Sequence, residues 1–264
     1  MEIANSFFNL GYLDSLSYKK SFIHRLDPRI KTIVTLTFVV TVVSFPQKEL
    51  SGLLSFFIYP VFIIALAEIP LGFILKKLVI VSPFVLMVAI FNPFLDKTPV
   101  MELYGITITT GWISFLSIIV KFILTISAAL LLIATTSFVG ICEGLSRMRV
   151  PEVFVVQLML LYRYIFVLVE EALRMVRARD SRSFGKKGRG IKTFINLAGI
   201  LLVRTIHRAD RIYSAMLSRG YSGTIPQKRT HRIRTKEVFY LIIWVGLFIL
   251  FRKYNLSLAI GQLF

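Results

Sequence analysis

The sequence predicts an all-α, polytopic membrane protein with about five transmembrane helices and long amphipathic helices outside the bilayer. Of its 264 residues, 56% are apolar and only 17% are charged, whereas a soluble domain carries about 25% charge. The mean hydropathy is +0.73, yet the formal net charge is +18. The apolar content excludes disorder, and a single cysteine excludes a disulfide scaffold. The apolar residues and the excess positive charge must therefore lie in different parts of the chain.

Five apolar runs approach the length of about 20 residues that a membrane-crossing helix needs. They cover residues 30–45, 50–67, 78–95, 112–141 and 238–251. Pro60 and Pro83 predict kinks, because neighbouring helices in a membrane satisfy the carbonyls that proline frees. Lys121 is the one clear charge inside a run; a structural role is favoured, and contact with a membrane partner is the alternative. Asp27 and Glu68 are expected to be helix caps or anchors.

The distribution of lysine and arginine predicts the orientation of the chain. Basic residues flank the start of the first span and, as Lys76 and Lys77, the connection between spans two and three. The opposite loops carry only Lys48 and Lys97. The positive-inside rule therefore places the N-terminus in the cytoplasm. An alternating, β-rich stretch at 102–109 predicts a small hairpin on the outer side.

Most of the charge lies between the fourth and fifth spans. From Arg147 to Lys236 there are 15 Arg and 5 Lys against 5 acidic residues, a net charge of +15. We therefore expect a membrane body at 1–145 with four spans, a basic cytoplasmic region at 146–236, and a C-terminal span and tail at 237–264. The apolar run 153–169 is long enough to be a further span, which leaves the number of spans open.

The basic region has helical periodicity. Apolar residues recur at helical spacing from Pro151 to Val176, and again from about Phe194 to Ser218, each opposite an arginine-bearing face. A loop rich in glycine and lysine, 183–190, separates the two helices. Each helix ends in a small–Arg–X triplet: Ala178-Arg179-Asp180 and Ser218-Arg219-Gly220. Such an arginine either caps a solvated helix end or projects into an acidic groove of another protein.

The order and spacing of several short motifs resemble one family, the transmembrane T components of energy-coupling-factor (ECF) transporters, in particular the cobalt-type CbiQ branch. The resemblance covers about residues 12–226. The motifs that carry it are His24-Arg25-Leu26-Asp27-Pro28-Arg29, Phe91-Asn92-Pro93-Phe94, Gly111-Trp112-Ile113-Ser114-Phe115, Gln157-Leu158 with Leu161-Tyr162-Arg163-Tyr164, Leu173 to Arg179, and Arg208-Ala209-Asp210-Arg211-Ile212-Tyr213 leading to Ser218-Arg219-Gly220-Tyr221.

The resemblance implies two cytoplasmic coupling helices, each with an alanine-arginine-glycine-like triplet whose arginine docks in a groove of one ATPase subunit. Arg179 and Arg219 would hold these roles. Asp180 stands where the family often has glycine, and Ser218 stands for alanine. The implied partners are two ATP-binding cassette ATPase subunits, a separate substrate-capture membrane protein and the lipid bilayer.

No catalytic, metal or cofactor site is predicted within the chain. His24, His207 and His231 are scattered, without neighbours at ligand spacing. Gly185-Lys186-Lys187-Gly188 lacks the spacing and hydroxyl of a nucleotide-binding P-loop. Cys142 is expected to be an ordinary buried thiol. The chain is therefore expected not to be an enzyme, and ATP hydrolysis is assigned to the partner subunits.

The function expected from the resemblance is the coupling subunit of an ATP-driven cobalt uptake transporter in the cell inner (cytoplasmic) membrane. Transport of nickel or a vitamin by the same kind of complex is an alternative. A self-sufficient secondary carrier would predict internal repeats, which the sequence lacks. Binding of nucleic acid or anionic lipid by the +15 segment would predict charge spread over surfaces, whereas here much of it is phased onto helix faces and helix ends. No nucleic-acid partner is predicted.

Overall fold

The computed structural model describes residues 17, 21–46, 50–95, 99–103, 106–183, 190–223 and 235–254. Expectations for Lys48, Lys97 and the interior of the 183–190 loop fall outside these ranges, as does the tail beyond residue 254. The helices are α1 (Pro28–Val43), α2 (Leu50–Leu54), α3 (Ile58–Ala67), α4 (Leu71–Ala89), α5 (Asn92–Leu95), α6 (Thr110–Thr135), α7 (Phe138–Arg147), α8 (Glu152–Arg182), α9 (Ile191–Ser218) and α10 (Thr235–Lys253).

A small hairpin separates α5 from α6, as the alternating stretch predicted. Strand β1 (Pro99–Leu103) pairs antiparallel with β2 (Ile106–Thr109), with a register irregularity between Pro99 and Met101. Everything else regular in the described residues is helical. The predicted all-α, polytopic fold class is confirmed.

Four helical stretches of the described residues are long and apolar enough to cross a membrane: Leu50–Ala67, Leu71–Phe94, Thr110–Thr135 and Glu152–Arg182. The first three match expected spans two, three and four. The fourth contains the run 153–169, so the number of spans stays open. Expected spans one and five are also helices, α1 and α10, of 16 and 19 residues.

Two details of the expected spans were wrong. Lys76 and Lys77 lie inside α4 and not in a loop; their long stems let a charged head reach water from a helix in an apolar run. The expected fourth span, 112–141, is interrupted: α6 ends at Thr135, and Thr136 is extended (φ −140°, ψ 115°). The Ser137 hydroxyl then accepts a hydrogen bond from the Gly140 N–H (3.1 Å) at the start of α7, which stabilises the break.

The described residues divide into two compact units. One lies within Tyr12–Gly144 and His231–Phe264, and we call it the membrane body; the other lies within Leu145–Thr230, and we call it the two-helix unit because α8 and α9 dominate it. The domain boundaries expected from the sequence remain a prediction.

The membrane body has an aromatic core where α1, α3 and α10 meet. The Phe38 ring is fully buried and lies 4.6 Å from the Tyr59 ring and 5.3 Å from the Phe248 ring, measured between centroids. The Tyr59 ring stands edge-on to Trp244 at 4.8 Å, and its hydroxyl is 3.0 Å from the Thr35 Oγ1. Tilted and edge-on rings are the preferred aromatic geometries. Since lipid is as apolar as these side chains, such close packing is what holds membrane helices together.

Basic side chains stabilise the ends of the body's helices. The Lys121 Nζ donates to the Phe45 carbonyl at 2.6 Å, just beyond the C-terminus of α1. The Arg252 guanidinium donates to the neighbouring Ser44 carbonyl at 3.1 Å and lies over the Phe45 ring at 4.5 Å. These two carbonyls directly follow the last turn of α1 and have no partner within the helix, and the two cations supply one. This hydrogen bond supports the structural role favoured for Lys121, and contact with a membrane partner stays a prediction.

The opposite end of α1 holds buried polar groups. The Asp27 carboxylate caps the helix by accepting the Arg29 N–H at 2.9 Å, while the Asp27 N–H donates to Glu237 Oε1 at 3.2 Å. Lys31 is buried and donates to the Thr135 carbonyl at 2.8 Å. The expected cap at Asp27 is confirmed. Lys31, one of the basic residues at the start of the first expected span, is buried within the chain. Glu68, the other expected cap, is the C-cap residue of α3 in the left-handed conformation (φ 52°).

Candidate functional site

The first long helix of the two-helix unit, α8, begins at Glu152 with Pro151 at its N-cap. An acidic residue in the first turn and Arg179 and Arg182 in the last both complement the helix dipole. Of its 31 residues, only Val155 and Val156 are buried. The helix ends at Arg182, two residues beyond the predicted triplet.

The second long helix, α9, begins at Ile191, earlier than the residue 194 expected, and has no buried residue. Its apolar side chains are present at helical spacing, but they are exposed in this chain. They include Ile191, Phe194, Ile195, Leu202, Val203, Ile206 and Tyr213. An apolar face of this extent on a stable helix is typical of a surface that another protein or lipid covers.

Glu171 ties the two helices together. Its Oε1 accepts from Arg204 Nη1 at 3.0 Å, and its Oε2 accepts from Arg208 Nη2 at 2.9 Å. Because Arg204 and Arg208 are four residues apart, they lie on one face of α9 and can share one carboxylate. Sequence reasoning missed this residue. The signal was an arginine pair at helical spacing, but only the crossing of the helices decides which carboxylate the pair meets.

A groove of about 870 Å³ lies between the C-terminal part of α8 and the N-terminal part of α9. Its walls combine apolar side chains with guanidinium groups. The residues that line it include Arg174, Met175, Ala178, Arg179, Arg182, Thr193, Leu197, Ile200 and Arg204. The first predicted triplet therefore borders this groove.

In the first triplet, Ala178-Arg179-Asp180, the helix does not end. All three residues are α-helical, and the guanidinium of Arg179 is engaged by its neighbour. Arg179 Nη2 and Nε both donate to Asp180 Oδ1, at 2.8 Å and 3.2 Å. The Arg179 side chain is 23% exposed and that of Asp180 is 44% exposed. This end therefore presents an ion pair and not a lone cation.

In the second triplet, Ser218-Arg219-Gly220, the helix does end. Arg219 is the C-cap and Gly220 has φ +80°, a conformation that glycine adopts without strain. The Gly220 N–H donates to the Leu217 carbonyl at 2.9 Å and the Tyr221 N–H to the Met216 carbonyl at 3.0 Å. This pair of bonds is the Schellman motif. It leaves Arg219 exposed at the helix end.

The two triplets lie on opposite sides of the helix crossing. From Glu171, Arg179 is eight residues along α8 in the direction of the connection to α9, or about 12 Å at 1.5 Å per residue. From Arg208, Arg219 is eleven residues along α9 in the direction that leads away from that connection, or about 16 Å. The structure does not bring the two triplets together, so they lie at two separate places on the helix pair.

Within the described ranges, no group of three or more His, Cys, Asp or Glu side chains is arranged to hold a metal ion. His24 is hydrogen-bonded to Ser21 Oγ through its Nδ1 at 2.7 Å, and His231 lies outside the described residues. Cys142 is buried, as expected. Burial, followed by the neighbouring Glu143 carboxylate, raises the pKa of the Cys142 thiol to about 11.

The fold and these helix ends define the class of protein: a polytopic, all-α membrane protein with a basic two-helix unit whose helices carry arginine at or near their ends. The profile of the CbiQ family, described as "Cobalt transport protein", matches residues 19–231. The chain belongs to this family, that of the T components of ECF transporters.

Individual relatives are also similar to this chain. An uncharacterized protein of Methanocaldococcus jannaschii is 30% identical over 88% of this chain and 83% of its own length. The energy-coupling factor transporter transmembrane protein EcfT of Staphylococcus aureus is 29% identical over 89% of this chain and 94% of its own. A putative fused cobalt transport protein CbiMQ of Methanocorpusculum labreanum is 34% identical, over 37% of this chain and 17% of its own. The chain is thus a multi-pass subunit of a membrane transport complex.

Proposed function

We propose that this chain is the coupling subunit of an ATP-driven ECF-type uptake transporter, and that Arg179 and Arg219 dock it to two ATPase subunits. The ATPases hydrolyse ATP, and this chain transmits their movement to a separate membrane protein that captures the substrate. The observation that carries the proposal is the pair of arginines at two well-separated points of one helix pair, whose helices the Glu171 ion pairs join. A planar guanidinium makes bidentate bonds to carboxylates, which suits it to an acidic groove.

The two-helix unit supports this role mechanically as well as chemically. The Glu171 bridge joins α8 to α9, so a displacement at either end moves both helices. The exposed apolar face of α9 gives a membrane partner a surface to contact. Ala178, Asp180, Ser218 and Gly220 flank the docking arginines and set the shape of each end.

In this proposal the N-terminus and the coupling region (146–236) are cytoplasmic, because the ATPases are cytoplasmic and the region holds most of the positive charge. The spans within residues 1–145 and the C-terminal span (237–264) anchor it in the cell inner membrane. Cobalt is the proposed cargo, since the matching family is described as cobalt transport. Nickel or a vitamin is the alternative, because the capture subunit and not this chain would select the cargo.

The test is the double variant Arg179→Ala/Arg219→Ala, expressed with its two ATPases and the capture protein. Loss of a buried interface arginine costs about 2 kcal/mol or more, a factor of roughly 30 in affinity. We expect the ATPases to be lost on purification and ATP-dependent Co²⁺ uptake into vesicles to fall to background. Uptake of Ni²⁺ in the same vesicles separates the two metals.

The matched control is Arg163→Ala, which removes an exposed arginine from α8, 15 residues before the first triplet and on the other long helix from the second. It should leave ATPase retention and uptake unchanged. Membrane insertion and the gel-filtration profile of all variants should match the unmodified protein. Normal co-purification and transport by the double variant would contradict the docking proposal.

A further inference from the structure

The two helix ends differ chemically, although the sequence pattern treats them as equivalent. At the second end, Arg219 is exposed at a helix terminus closed by a Schellman motif, and the described residues form no ion pair with it. At the first end, Arg179 donates two hydrogen bonds to the carboxylate of Asp180. An acidic groove on a partner would meet, at one end, a guanidinium that no described residue pairs with, and at the other a guanidinium with two of its five N–H donors engaged.

The ion pair at the first end joins consecutive residues of a continuing helix. Because α8 continues to Arg182, residues 179 and 180 both lie on regular helix. Consecutive side chains do not face each other on a helix, so the contact depends on the long Arg179 side chain reaching across to the carboxylate. A glycine at position 180 would have removed the carboxylate and favoured a helix end at that point. The residue that departs from the small–Arg–Gly form is thus the same residue that pairs with the arginine.

We propose that Asp180 is an intramolecular competitor for Arg179, so that the first coupling end binds its ATPase more weakly than the second. The carboxylate occupies the Nε–Nη2 edge of the guanidinium, two of its five N–H donors, and it repels the groove's own carboxylates. Bidentate docking through the Nε–Nη2 edge of Arg179 therefore requires the Asp180 bonds to break, whereas no described residue holds Arg219 in this way. This inference rests on the proposed function and assigns to Asp180 the role of weakening one of its two contacts.

The pair is partly exposed, so its effect is modest. Exposed ion pairs contribute about 0.2–1 kcal/mol, which corresponds to a change of roughly one-and-a-half- to fivefold in affinity. The effect should decrease as salt screens the competing charges.

The experiment measures binding of the purified ATPase pair to the full-length chain held in nanodiscs. Asp180→Asn removes the negative charge with little change in shape. In an Arg219→Ala background, where the first end alone makes the arginine contact, Asp180→Asn should tighten the dissociation constant up to about fivefold at low salt. The same substitution with Arg219 intact should give a gain in the same direction, which keeps the effect measurable if the Arg219→Ala chain binds too weakly.

Two controls isolate the mechanism. Glu170→Gln breaks an equivalent ion pair, with Arg174 on the same helix, and should not change the affinity. Asp180→Asn combined with Arg179→Ala should give no gain in affinity, because there is then no Arg179 guanidinium for the Asp180 carboxylate to bind. If Asp180→Asn leaves affinity unchanged or weakens it in the presence of Arg179, the inference is overturned.

The failure of this inference is distinguishable from failure of the proposed function. An unchanged affinity on Asp180→Asn, together with loss of binding in the Arg179→Ala/Arg219→Ala chain, would remove only the competitor role. Unchanged binding in that double variant would instead remove the docking function on which the inference rests.

Discussion

The membrane body and the two-helix unit use apolar side chains in opposite ways. In the body, Phe38, Phe56 and Phe248 are fully buried in contact with one another. In the two-helix unit, α9 buries no residue, and Phe194 is 64% exposed. The same residue type therefore maintains the fold in one unit and remains available to a partner in the other. The difference teaches that hydrophobic periodicity marks a face, and that only packing shows whether the chain itself covers that face.

A matched pair of phenylalanine substitutions is the strongest test of this comparison. Phe38→Ala should destabilise the body by about 3–5 kcal/mol, because it opens a cavity among packed rings. Phe194→Ala should cost less than about 0.5 kcal/mol, as for an exposed surface position. The thermal midpoint of each purified variant in detergent measures the difference.

The assembled complex provides the control for this pair. If α9 is covered there, Phe194→Ala should weaken retention of a partner while the isolated subunit keeps its midpoint. Equal destabilisation of the isolated subunit by both substitutions would show that α9 packs against its own chain.

Glu171 provides a second test of the comparison. Ion pairs join the helices of the two-helix unit, whereas packed aromatic rings join the helices of the membrane body. Glu171→Gln removes the charge that Arg204 and Arg208 share. The expected loss is about 1 kcal/mol, since the groups are partly exposed. Amide hydrogen exchange around residues 171 and 204–208 should become faster, and ATP-driven uptake should fall more than ATPase association.

The control for Glu171 is Glu170→Gln, which removes a carboxylate one position earlier that pairs within α8. Glu170→Gln should not change the rate of amide hydrogen exchange around residues 171 and 204–208. An equal response to both substitutions would mean that the bridge does not join α8 to α9.

Labelling of Cys142 tests, without any substitution, whether this residue is buried in the membrane body. It involves the smallest energetic effect of these tests. Because its pKa is raised to about 11, at pH 8 only about a thousandth of the thiol is thiolate, the reactive form. Maleimide labelling of the native protein should therefore be slow at pH 8 and should accelerate with pH up to about 11. Labelling in SDS is the control, since unfolding restores an ordinary thiol pKa. Fast labelling of the native protein at pH 8 would contradict the burial of this residue.

Much of the fold followed from the sequence, since runs of about 20 apolar residues have few structures other than membrane helices. The hairpin, the cap at Asp27 and the second helix end at Ser218 also followed, because turn chemistry and capping are local. The breaks were harder to predict. α6 ends at three consecutive polar residues, Thr135 to Ser137, and the Ser137 hydroxyl bonds the next helix; the hydropathy of the longer run hides this local signal. Lys76 and Lys77 do not end α4, because the reach of a lysine side chain overrides the hydropathy signal.

The same distinction between local and tertiary information applies to the candidate site. The sequence by itself determined that arginines stand at or near the ends of two amphipathic helices, because periodicity and composition are properties of one segment at a time. Only the tertiary structure decided that Glu171 bridges Arg204 and Arg208, that Arg179 is engaged by Asp180 on a continuing helix, and that Arg219 is exposed beside a Schellman glycine. Each of these depends on where a helix crosses or ends in space. The distances between charged groups that result fix the interactions of each arginine, and residue spacing along the chain does not contain them.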